Sequence, residues 1–112
     1  MIKLISIEQS EMNVLLDLTH KYVVITNETI RTNQDNYFDG LIKLDLSNSI
    51  FKTLKDKIEK TKKHKPANIS LSISQSVILL DICQNNDTAK NEFDKYVATK
   101  IINQLHCQLI NL

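Results

Sequence analysis

One glycine and one proline, Gly40 and Pro66, serve a chain of 112 residues. All-β folds use both residue types at their many tight turns, so this scarcity argues against a sandwich or barrel and for helices. It also excludes a glycine-rich phosphate loop, whose backbone must approach the ligand closely. Tryptophan is absent and Arg31 is the only arginine. No apolar run approaches the roughly 20 residues of a membrane span. The beginning, Met1 to Ser6, lacks the continuous apolar core of a signal peptide, and Glu8 and Glu11 follow at once. A cytoplasmic protein is therefore expected.

Neither charge sign dominates. The net charge is +1, with 14 basic and 13 acidic residues, so no global field steers a polyanion to the surface. Apolar residues make up 42% and charged residues 24%, the balance of a globular chain with one modest core. A single helical domain spanning 1–112 is expected.

The longest periodic stretch is the last quarter. Phe93, Val97, Ile101, Leu105 and Leu109 recur every fourth residue, and Ala98, Ile102 and Leu112 form a second row beside them. The rest of the chain must cover this broad face. Caps and periodicity predict four helices, about Ser6 to Arg31, Ser47 to Lys63, Ser74 to Gln84 and Thr88 to Asn111. Ser6 with Gln9 fits a capping box at the first start. Either Ser72 with Gln75 or Ser74 fits the third. Asp39-Gly40 reads as a turn. Segments 2–5, 41–46 and 69–73 alternate apolar with polar residues and read as short extended pieces. The expected fold is a compact, mainly α four-helix domain with short extended segments before the helices. The alternative is α+β with those segments paired as a small sheet. Ser6 to Ser10 and Ser72 to Ser76 share Ser-Ile-x-Gln-Ser, but the Leu-Leu-Asp that follows each is offset by two residues, so a duplication is not inferred.

Few residues suggest chemistry. Cys83 and Cys107 match no zinc spacing and are expected as two reduced core thiols. His20, His64 and His106 have no partner at helical metal spacing. Asp35, Asp39 and Gly40 fall at the first, fifth and sixth positions of a calcium loop, but Tyr37 and Leu46 stand where oxygen ligands are required. No metal, no cofactor and no catalytic residues are expected, and a cysteine or metal enzyme ranks last. Between Ile50 and Lys65 there are seven lysines and two acids. Lys52, Lys55, Lys60, Lys62 and Lys63 share one side of the helix wheel, with Asp56 and Glu59 set among them at pairing distance.

These patterns favour a small non-catalytic interaction or regulatory module of inhibitor, immunity, adaptor or regulator type. It would work through helix faces, binding a protein partner or itself as a homodimer. Ala98, Ile102 and Leu112 are the expected partner-binding positions, since a domain this small has little surface with which to cover both rows of the last helix. The alternative is a nucleic-acid-associated protein using the lysines of helix 52–65.

Overall fold

The structure is a computed structural model that describes residues 1–32, 37–62, 64–84 and 91–112. Its elements in chain order are β1 (Ile2–Ile7), α1 (Gln9–Thr32), α2 (Tyr37–Lys60), β2 (Ala67–Leu71), α3 (Ile73–Gln84) and α4 (Glu92–Ile110). Over the described residues the fold is mainly α, with four helices and a small antiparallel sheet of two strands. Two of the three alternating segments do pair, and the third does not.

The sheet follows from the period-two pattern. Ile2, Leu4 and Ile7 of β1 and Ala67, Ile69 and Leu71 of β2 all face the core, while Lys3, Ile5, Asn68 and Ser70 face outward. The register is Ile2↔Leu71, Lys3↔Ser70, Leu4↔Ile69 and Ile7↔Ala67, so three steps along β1 match two along β2. The extra residue is absorbed at Ser6, whose φ of 57° is left-handed. Ser6 is thus a bulge residue and not a helix cap. Its N–H donates to Asn68 Oδ1 at 3.0 Å. The helix start expected at Ser6 lies two residues later, where Glu11 Oε1 accepts the Glu8 N–H at 2.8 Å, one half of a capping box.

Residues 41–46 are helical. α2 begins at Tyr37, ten positions before the expected start at Ser47, and pairs with α1 as a long antiparallel hairpin. At about 1.5 Å per residue each of these 24-residue helices is about 36 Å long, which accounts for most of the molecule's 43 Å length. Gly40 is no turn residue either. A Cβ there would lie 2.7 Å from Ile30 Cγ1, so glycine is what lets α1 and α2 approach. Ser47 lies buried inside the helix, its hydroxyl donating to the Lys43 carbonyl at 2.6 Å.

Ser72 and Gln75 do form a reciprocal capping box. Gln75 N–H donates to Ser72 Oγ at 3.0 Å, and Gln75 Oε1 accepts the Ser72 N–H at 2.9 Å. The expected start of α4 at Thr88 lies outside the described residues. α4 is capped by Asn91, whose Oδ1 accepts the Asp94 N–H at 2.9 Å.

One buried cluster draws on every element, and α4 supplies Val97, Ala98, Ile101 and Leu105 to it. The polar edge of α4 has a second task. Gln104 and Gln108 clasp the outer edge of β1, each accepting one backbone N–H and donating to the same residue's carbonyl. Gln104 does so on Ile5 at 2.8 and 3.1 Å. Gln108 does so on Lys3 at 2.9 and 2.7 Å. One turn earlier, Lys100 Nζ donates to the Ser6 carbonyl at 3.0 Å and to both oxygens of Glu11 at 2.8 and 3.0 Å. Side chains at i, i+4 and i+8 of one helix therefore close the strand edge as a third strand would.

Candidate functional site

Of the expected partner-binding residues, Ala98 is 0% exposed and belongs to the core. Ile102 is half-buried against that core, and only Leu112, at 73%, stands clear of it. The second row of α4 is thus largely taken up within the chain. α3, β1 and α1 all pack against α4, which a wheel drawn for one helix does not reveal.

α4 still leaves Phe93, expected in its core row, and Tyr96 and Ile110 exposed, and a further exposed apolar cluster lies on the first turns of α2. Tyr37, Phe38, Leu41 and Ile42 are 43%, 78%, 38% and 60% exposed. The two rings meet edge to face at a centroid distance of 5.6 Å. Phe38, Leu41 and Ile42 stand at i, i+3 and i+4, so they share one helix face. The alternation over 41–46 hid this stripe. Read as a strand it puts Ile42, Leu44 and Leu46 on one side, whereas the helix spreads them around the axis and leaves Leu44 and Leu46 half-buried.

The lysines form an open face. Lys52, Lys55, Lys60 and Lys62 are all exposed, and Lys63 lies outside the described residues. The expected pairing of Lys52, Lys55 and Lys60 with Asp56 and Glu59 does not occur. Among the described residues the ion pairs are Lys21–Asp17, Lys43–Asp39, Lys95–Glu92 and Lys100–Glu11.

His20 lies against Phe51 at a centroid distance of 6.1 Å. His64 lines an open polar cleft of about 370 Å³ with Glu8, Ser10 and Asn13 at the start of α1. A second hollow, about 230 Å³, lies beside the Tyr22 hydroxyl, which donates to Asp81 Oδ2 at 2.7 Å. Burial first, and then that bond and the Asp81 charge, push the tyrosine above its ordinary range. Among the described residues no three or more His, Cys, Asp or Glu side chains are placed to hold a metal.

The two thiols differ. Cys83 is buried as expected, but Cys107 is exposed. On α4 it lies two positions beyond Leu105, about 200° around the axis from a residue that is fully buried. Burial pushes the Cys83 thiol up from 9.0 to about 12. A disulfide reagent should therefore titrate Cys107 in the native protein and reach Cys83 only on unfolding. The raised value also has a consequence for stability. The unfolded chain ionises near pH 9 while the folded one keeps its proton, so the contribution is whole below pH 9 and is lost as pH rises towards 12. Denaturant titrations should show stability falling there by up to about 1.4 kcal/mol per pH unit from this group. Cys83→Ala should flatten that part of the profile. An unchanged slope would mean that Cys83 is not shielded.

No protein-family model, no curated protein and no solved structure matches this chain. Among the described residues no helix is long and apolar enough to cross a membrane.

Proposed function

We propose that this chain is a small non-catalytic interaction module that meets a protein partner through a helix face. The observation that carries the reading is the stripe Tyr37, Phe38, Leu41 and Ile42, four large side chains exposed within the first turns of α2. Single exposed apolar residues are ordinary. A cluster with two aromatic rings has the composition of an interface centre, where such rings act as anchors. Inhibitor, immunity, adaptor and regulator roles share this mode of contact. The cytoplasm suits two free thiols, Cys83 and Cys107.

The test places a photo-crosslinking side chain at Phe38 and, as control, at Asn48, exposed on the same helix. A discrete adduct from position 38 that is absent from 48, and is lost when Ile42→Asp is added, is the expected result. Equal labelling at both positions, or none at either, would overturn the reading.

A second reading is favoured by one observation, the exposed lysines without ion pairs to Asp56 or Glu59. If the α2 lysines bind nucleic acid, retention at about 50 mM salt should weaken with Lys55→Gln and Lys60→Gln, each lowering the salt slope by about 0.9 on duplex. No retention at that salt removes it.

A further inference from the structure

We infer that the chain forms a symmetric dimer by pairing the outer edge of β2 with the same edge of a second copy. The two edges of the sheet are treated differently. On β1 the outward N–H and C=O groups of Lys3 and Ile5 are held by Gln108 and Gln104. Because the Lys3 N–H is committed to Gln108, the Lys3↔Ser70 pair is not hydrogen-bonded. Ile2↔Leu71 and Leu4↔Ile69 are then the bonded pairs. It follows that Ile69 and Leu71 bond towards β1, while Asn68 and Ser70 point their backbone groups away from it. Among the described residues no hydrogen bond takes up those groups. Both residues are exposed. Natural edges are guarded by charge, a bulge or a covering segment. Ala67–Leu71 carries no charge, and the bulged strand of this sheet is β1.

The sequence of the edge selects its occupant. Across a twofold axis normal to the sheet at Ile69, Asn68 stands opposite Ser70 of the partner subunit, and Ser70 opposite the partner's Asn68. That register forms four N–H···O bonds and leaves no outward group of β2 unpaired. Sliding by one pair in either direction fails. One shift sets Ser70 against the partner's Pro66, which has no N–H. The other sets Asn68 against the partner's Ser72, whose N–H is already given to Gln75 Oε1 at 2.9 Å. The apolar faces of both strand pairs then lie on the same side of one four-stranded sheet. Two residues past the strand, Ile73 and Val77 are each 50% exposed at i and i+4 of α3, which supplies apolar surface next to the edge. This pairing is independent of the stripe on α2.

Sedimentation of the full chain should show a dimer at about 100 μM, where a micromolar complex is largely assembled. Ser70→Pro removes a donor that no intramolecular bond uses, at an edge position that tolerates proline. It should leave the circular dichroism spectrum unchanged and weaken dimerisation about thirtyfold, the usual net value of two backbone bonds. Should that variant unfold, cross-linking decides. In a Cys107→Ser background, chains with Asn68→Cys and chains with Ser70→Cys should bridge on mixing, because opposed Cα atoms lie about 5.5 Å apart. Neither alone should bridge, since 68 to 68 and 70 to 70 are separated by about 9 Å. A monomeric wild type at that concentration, or a dimer that keeps its affinity in Ser70→Pro and forms no mixed bridge, would overturn the inference. Phe38→Asp should leave this dimer intact. A dimer lost with Phe38→Asp but not with Ser70→Pro would refute β2 pairing and leave the α2 contact standing.

Discussion

Lys100→Met should lower the stability of the domain by about 3–5 kcal/mol, the usual cost of leaving one member of a buried ion pair without its partner. The Glu11 side chain is only 3% exposed, and Lys100 bonds it through both oxygens. The same carboxylate accepts the Glu8 N–H that opens α1, and the same ammonium holds the Ser6 carbonyl at the β1 bulge. One interaction therefore ties the end of the strand, the start of α1 and the middle of α4. Losing Lys100 strands a negative charge in the interior. Glu11→Gln removes that charge while keeping an oxygen for the Glu8 N–H, so the double variant Glu11→Gln, Lys100→Met should recover part of the loss. Urea denaturation of the four members of this cycle measures the coupling. A loss below about 1 kcal/mol for Lys100→Met would equal that of an exposed pair and contradict the buried role. The exposed pair Lys95–Glu92, at helical spacing, should be worth about 0.5 kcal/mol or less.

Leu105→Asp should leave no cooperatively folded protein. Leu105 is 0% exposed in a cluster shared with both strands, and a carboxylate there has neither water nor a cation as partner. Its cost should exceed about 4 kcal/mol, a large share of the roughly 5–15 kcal/mol that a domain has in total. Leu112→Asp, at a position 73% exposed, should stay within about 0.5 kcal/mol of wild type. Ile102→Asp falls between them, because Ile102 packs against the core and is not a free contact residue. Near-ultraviolet circular dichroism and a thermal melt distinguish the three. A cooperative melt for Leu105→Asp would place the core elsewhere.

The helical class, the Ser72–Gln75 cap as one of two alternatives, and Val97, Ile101 and Leu105 of the expected row from Phe93 to Leu109 were legible in the sequence alone, whereas Phe93 itself is exposed. Each rests on interactions within a few residues or on a periodicity long enough to distinguish one geometry from the other. Where a segment is short, the pattern is ambiguous. Six alternating residues at 41–46 fit a strand or a helix, and in the fold they continue α2, which packs against α1 at Gly40. The same holds for Ser6 and Ser47, whose hydroxyl chemistry reads as helix caps but whose backbone is set by the sheet bulge and by the continuation of α2. The candidate surface was less legible than the fold. A wheel shows which residues of a helix are apolar and not which neighbour covers them. Tertiary structure alone buried Ala98, exposed Phe38 and Cys107, and brought Lys100 to Glu11 from 89 residues away. It also set two glutamines of α4 along β1 and left the groups of Asn68 and Ser70 on β2 facing outward. Long-range pairing depends on how whole elements pack, and that information is absent from any short window of sequence.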